Sequence, residues 1–394
     1  MATTLAPSIS PLSSASNAAK PYAGRLLSLD IFRGLAVAGM ILVDNPGKDE
    51  AAYRAISHTV WNGWTPADFI FPSFMFLVGA SMVLSFHMRL ERGESRSQIF
   101  RHALQRTLIL IVLGLLTNAF PLYHLADWRI EGVLQRIAVC YLLAGILVLW
   151  SDWRGQLVAL AACLIGYWAL MRFVPVPGFG VPGRNIPFMD PDRNWVAWLD
   201  RKLFPGRLYN VTRDPEGLIS NIPALGTTLL GVLTGHWLRS GRDKATIVFR
   251  IVLFGGFCAV AGLVWNLAFP INKNLWTSSF VLFSGGLSLV TLAFLYWVVE
   301  IKDWRGVWTM LFLVFGMNSV AGFIADALVW GPGYGFTVKG PDGTVIPWNE
   351  AANAQIARLG LSPANTSLIY SLGAVLFCWF LLWLLWRRRI FLKV

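Results

Sequence analysis

Apolar runs of roughly twenty residues recur along almost the whole of this 394-residue chain. Each is long enough to cross the hydrocarbon core of a bilayer as a helix, about 30 Å at 1.5 Å per residue. Lipid offers no partner to a backbone N–H or C=O, so a chain with many such runs must become a bundle of membrane helices. Ten spans are expected, over residues 26–44, 66–88, 103–120, 131–150, 156–173, 219–238, 246–268, 275–298, 307–329 and 367–386. Charged residues make up only 14% of the chain, against about 25% in a typical soluble domain. The expected class is therefore all-α, a polytopic integral membrane protein with about ten transmembrane helices. Residues 1–24 are small, polar and rich in Pro, Ser and Ala, without the apolar core of a signal peptide. They read as a disordered tail ahead of one membrane domain, residues 25–394.

The formal charge of +12 does not point to nucleic acid, because the basic residues cluster in short links between apolar runs. Arg89, Arg92, Arg96, Arg101 and Arg106 face only Glu91 and Glu94 in the link after the second run. Arg239, Arg242, Lys244 and Arg250 face Asp243 after the sixth, and the C-terminus carries Arg387, Arg388, Arg389 and Lys393. With ten spans these segments fall on one side, which the positive-inside bias makes cytoplasmic, together with both termini. The longer connections, 45–65, 174–218 and 330–366, fall on the other side, and loops of such length are often functional. The four cysteines and five histidines show no metal-ligand or disulfide spacing, and no GxSxG, HExxH or phosphate-loop motif is present.

The stretch from Asn45 to Gly79 concentrates the chemistry. Thr65 suits a helix cap, Pro66 the first helical position, and Asp68 the first turn, where free N–H groups favour an anion. His58 lies just before, in a loop at the membrane surface, and imidazole alone has an unperturbed pKa suited to proton exchange near neutrality. Asn45, Asn62 and Asp68 could orient it or bind a carbonyl. Asp30 and Arg33, three apart, could form an ion pair that fixes packing, or Arg33 could bind a phosphate. Arg136 falls inside a span, where it must pair, with Glu131 one candidate, or face a polar cavity. Asn272, Lys273 and Asn274 offer donors for sugar hydroxyls, although Asn274 could simply cap the next helix. Asn318 is an amide in an apolar span, suited to an interhelical hydrogen bond or to a site.

The motifs RLLSLDIFRGLAVAGMILV, HTVWNGWTPADFIFPSFMFLVG, EGVLQRIAVCY, DPEGLISNIPAL, FPINKNLWTSSF and FGMNSVAGF lie in order along residues 25–386. Together they resemble the heparan-α-glucosaminide N-acetyltransferase family, in particular a bacterial branch associated with N-acetylglucosamine utilisation. The resemblance implies transfer of an acetyl group from cytoplasmic acetyl-CoA to an amino sugar or related glycan on the far side of a bacterial inner membrane. It implies His58 as the catalytic histidine, within His58-x-x-Trp61-Asn62-Gly63, with Asp68 and Asn62 beside it. Arg33, Asn45, Arg136 and Asn318 are then expected on the acetyl-CoA side, and Trp61, Asn272, Lys273 and Asn274 on the acceptor side. No metal is implied, and the resemblance leaves room for a homodimer. The family's animal lysosomal enzyme has a luminal region before its first conserved helix that this chain lacks, which leaves the acceptor open. The competing expectation is a membrane transporter of sugars or small polar solutes without acyl transfer.

Overall fold

The computed structural model describes residues 26–47, 49–119, 128–339 and 343–392, so the tail expected over residues 1–24 lies outside it. Among the described residues the chain is a helical bundle. Its long helices are α1 (Leu27–Asp44), α2 (Ile70–Glu91), α3 (Arg96–Ala119), α4 (Val133–Trp150) and α5 (Trp153–Phe173). The short α6 (Trp195–Leu203) follows, then α7 (Asn221–Leu238), α8 (Lys244–Trp265) and α9 (Ser278–Tyr296). After these come α10 (Val307–Met317), α11 (Ser319–Gly335), α12 (Trp348–Ala357) and α13 (Pro363–Arg387). A two-stranded antiparallel ribbon, Thr337–Lys339 with Val345–Pro347, precedes α12.

Among the described residues seven helices are by themselves long and apolar enough to cross a membrane, and the bent pair α10–α11 makes eight. The remaining two of the ten expected spans, α1 and α7, fall short because they carry polar residues: Asp30, Arg33 and Asp44 in α1, Asn221, three threonines and His236 in α7. Asp30 and the three threonines are buried in the bundle, while Arg33 and Asp44 line the cavity described below. The outer helices differ: only 28% of the apolar window is buried in α3, α5, α8 and α13, against 56% in the helix containing α2 and 61% in α9. The expected span 307–329 is corrected to two helices bent by 78° at Asn318. The Asn318 amide bonds the chain beyond α13, Nδ2 donating to the Ile390 carbonyl at 3.1 Å and Oδ1 accepting from Leu392 N at 2.9 Å.

Close backbone approach holds the inner helices together. A Cβ on Gly231 of α7 would overlap the Phe76 carbonyl of α2, and one on Gly79 would overlap the Thr228 carbonyl. Such small residues let two helices dock backbone to backbone, as membrane interfaces require where lipid removes the hydrophobic drive.

Two sets of contacts mark opposite ends of the bundle. At one, Ser28 N donates to Glu300 Oε1 at 3.0 Å, Lys244 Nζ to the Glu300 carbonyl at 2.8 Å, and Arg239 pairs with Glu91 at 2.6 Å. The start of α1, the ends of α2 and α7 and the start of α8 therefore meet at this end, with the arginine-rich links. At the other, the end of α1 meets the start of α2 and the α8–α9 link, through Asp44, His58, Asp68 and Lys273. Eighteen residues of α1, about 27 Å of helix, separate the basic end from the histidine end.

Candidate active site

The site is built by the way the chain begins its second span. Pro66–Phe69 forms a 3₁₀ turn that runs straight into α2, with Thr65 as its cap and Pro66 at the first position. Asp68, fully buried, reaches back from this turn. Its Oδ2 accepts from the backbone N–H of Thr65 at 3.1 Å and of Thr59 at 3.2 Å, and bonds both threonine hydroxyls, at 3.1 and 2.5 Å. Its other oxygen, Oδ1, lies 2.9 Å from His58 Nδ1. A carboxylate so supplied with donors is an acceptor only, so it favours the neutral imidazole with its proton on Nδ1 and its basic lone pair on Nε2. The His58 side chain is 39% exposed, open enough to meet a substrate.

Charges around the ring oppose one another. Burial pulls the His58 pKa down, hydrogen bonds to Asp44 and Asp68 push it up, and the Lys273 ammonium pulls it down again; the net result lies above the ordinary histidine value. Lys273 Nζ sits 3.0 Å from His58 Nδ1, 3.3 Å from Nε2 and 3.6 Å from Asp68 Oδ1. Removing that charge should raise the His58 pKa further. A reaction that needs neutral His58 rises with pH through this pKa, so Lys273→Met is expected to move the acidic limb of the kcat profile to higher pH. A profile measured from pH 5 to 9 on both proteins checks the direction, and a limb that stays in place or moves to lower pH contradicts it.

The other residues expected at the site separate into two groups. Arg33 forms the expected ion pair with Asp30 at 2.8 Å and also donates to Ser81 Oγ at 2.6 Å and the Gly316 carbonyl at 3.4 Å. Asn274 donates weakly to the Val60 carbonyl, at 3.5 Å, and does not cap α9, whose cap position is Thr277. Asn62 is exposed and accepts from Asn272 Nδ2 at 3.1 Å, while the Oδ1 of buried Asn272 accepts from Leu275 N at 2.9 Å. That pair fastens the α8–α9 link to the His58 loop. Trp61 donates from its indole N–H to the Met189 carbonyl at 2.9 Å, under the Arg213 guanidinium. Asn45 is buried, donating to the Ile41 carbonyl at 2.9 Å and to Asp326 Oδ1 at 2.6 Å.

Arg136 departs from expectation. Its guanidinium bonds Ser220 Oγ, Asn221 Oδ1 at 3.3 Å and the Gly217 carbonyl at 3.4 Å, and lies 4.9 Å from the centre of the Trp276 ring. It fixes the DPEG segment to α4 and does not line the cavity described below. Glu131, its expected partner, is pushed up to about 9 by burial, with the charges of Asp200 and Asp214 adding to the effect. The Arg136 charge opposes that shift, but its hydrogen bonds go to Ser220, Asn221 and Gly217 and none to Glu131.

A cavity of about 1220 Å³ joins the two ends. It is larger than the pockets of about 300–1,000 Å³ that hold drug-sized ligands, which suits an elongated molecule. At the basic end Arg33, Ser81 and Arg106 line it, the Arg106 guanidinium resting 4.9 Å over the Tyr141 ring. At the histidine end the lining includes His58, Lys273, Asn274 and two carboxylates, Asp44 and Asp326. Asn318, expected to touch acetyl-CoA, is not part of the lining, and its amide is engaged by Ile390 and Leu392.

The family model described as heparan-alpha-glucosaminide N-acetyltransferase, catalytic, matches residues 25–269. The chain belongs to this family. The heparan-alpha-glucosaminide N-acetyltransferase of Mus musculus is 31% identical over 364 residues, covering 78% of this chain and 54% of the relative. That of Homo sapiens is 30% identical over 357 residues, covering 76% and 52%. The chain thus spans about half the length of the curated relatives it matches. The match to the heparan-α-glucosaminide N-acetyltransferase model includes Arg33, His58 and Asp68, while Lys273 and Asp326 lie beyond it.

Sequence reasoning about this family member missed Arg106, Asp44 and Asp326. Asp44 carries a detectable signal: it is the last residue of α1, where the helix dipole disfavours an anion, so a carboxylate there calls for another explanation. Asp326 sits in an apolar helix, a position that by default marks function.

Proposed function

We propose that this family member transfers an acetyl group from acetyl-CoA, bound from the basic end, to an amino sugar or related glycan that enters at the histidine end. The observation that carries this reading is the single cavity with Arg33 and Arg106 at one end and the Asp68-held His58 at the other. The basic end would face the cytoplasm of a bacterial inner membrane, with both termini on that side. Acetyl-CoA supplies an activated acetyl thioester. Arg33 and Arg106 are suited to its phosphates, and the apolar middle of the cavity, with Phe74 and Val78, to its uncharged arm.

His58 Nε2 would take the proton from the attacking nitrogen, and Asp68 would steady the imidazolium that results. Lys273 and Asn274 offer donors for the oxygen on which charge develops. Overall one N–C bond forms and one C–S bond breaks. An acceptor that arrives as an ammonium loses two protons, the departing thiolate takes up one, and one is released.

The test is to supply purified protein with isotopically labelled acetyl-CoA and a panel of amino sugars, and to weigh the products. Acetylated amino sugar is the expected result. Sugar uptake into proteoliposomes with no acetylated product would favour a transporter and overturn the reading.

A further inference from the structure

Among the described residues, the histidine end of the cavity holds a carboxylate, Asp44, that no lysine or arginine balances, and a second acid, Asp326, lines the same cavity. Lys273 faces His58 and Asp68, at 3.0 and 3.6 Å. Arg129, the other Lys or Arg lining this end among the described residues, is held by Asp214, at 2.5 Å, and by Glu216. Two acids remain. Asp44 has His58 Nε2, 3.8 Å away, as its nearest cationic partner among the described residues, and its side chain is 41% exposed. Asp326 is only 8% exposed, lines the same cavity, and accepts from the neutral amide of Asn45 at 2.6 Å.

Neither position is one that a carboxylate takes for stability. Asp44 stands at the C-terminus of α1, against the helix dipole, and Asp326 is largely withdrawn from water. Asn45 links them: its backbone follows Asp44, its side chain grips Asp326, and its carbonyl accepts from Ser371 Oγ at 2.8 Å. Both acids are therefore held in the wall of the cavity. Asp44 also sits on the Nε2 side of His58, the side where an atom surrendering a proton to the base must lie.

We infer that Asp44, supported by Asp326, binds the protonated amine of the acceptor and makes the site select a primary ammonium over a hydroxyl. This rests on the proposed acetyl transfer for its purpose, but the binding itself does not require turnover. A cation bound at Asp44 supplies the balancing charge and brings its N–H groups toward His58 Nε2. A sugar with a hydroxyl in the amine's place gains no such attraction.

The test compares glucosamine with glucose, which differ at the amine, for binding to the purified full-length protein and to Asp44→Asn by isothermal titration calorimetry. The wild type is expected to bind glucosamine at least tenfold more tightly, and the variant to lose most of that preference. In turnover, the larger part of the Asp44→Asn loss in kcat/KM for glucosamine should fall on KM. Equal binding of the two sugars by wild type, or an undiminished preference in Asp44→Asn, would overturn the inference, as would a loss confined to kcat, which marks Asp44 as a support for His58 alone. Asp326→Asn is read the same way, with bound acetyl-CoA as its check of folding. Ammonium-selective binding without any acetyl transfer would uphold the inference and reject the function it was joined to.

Discussion

Replacing His58 by alanine is expected to lower acetyl transfer by about 10²- to 10⁴-fold, the usual worth of a positioned general base, while leaving the bundle folded. The imidazole is partly open to solvent and sits in the connection between α1 and α2. Its removal leaves the backbone and hydroxyl bonds of Thr59 and Thr65 to Asp68 in place. Binding of acetyl-CoA should survive, because Arg33 and Arg106 lie at the far end of the cavity. Turnover of purified His58→Ala, measured beside its melting temperature and its affinity for CoA, decides the matter. Retained kcat would remove His58 from the chemistry, and a lost fold would make the kinetic result uninformative about its role as a base.

The second large effect is structural. Gly231→Leu should drive α2 and α7 apart, because even a Cβ at this position would overlap the Phe76 carbonyl, which is backbone and cannot turn aside. Overpacking of this kind costs about 1–3 kcal/mol when neighbours can shift, and more when they cannot. Helix α2 also carries Phe74, Val78 and Ser81 along the cavity wall, so its displacement reaches the site as well. Gly256→Leu is the matched control, since a side chain at this point of α8 meets nothing within 4 Å. The expected outcome is a clear drop in melting temperature and yield for the first variant and little change for the second. Comparable behaviour of the two would mean that the α2–α7 contact is looser than described.

Much of the architecture is legible in the chain because lipid imposes a simple rule, an apolar run of fixed length. The rule fails where polar residues turn away from lipid: in α1 Arg33 and Asp44 line the cavity, and in α7 the three threonines are buried. The break at Asn318 is hidden for a related reason, since the amide's partners, Ile390 and Leu392, are over seventy residues away in the chain. In the site, Thr65, Pro66 and Asp68 announce themselves through local helix-start chemistry, and His58 lies within ten residues of its carboxylate. Lys273 stands out beside its two asparagines, yet its approach to the ring depends on the α8–α9 link folding over the loop. Arg136 misleads because burial of a guanidinium looks the same in sequence whether it serves a cavity or, as here, fastens the segment around Gly217 and Ser220.

The central claim is that one cavity lets a donor on one face of the membrane react with an acceptor on the other. It is tested most directly in sealed proteoliposomes of defined orientation, with acetyl-CoA confined to the face of the arginine-rich links and an amino sugar to the face of His58. Acetylated sugar should then form on the His58 side alone, and cease with His58→Ala. Product that forms only when both reactants share one face would contradict the account.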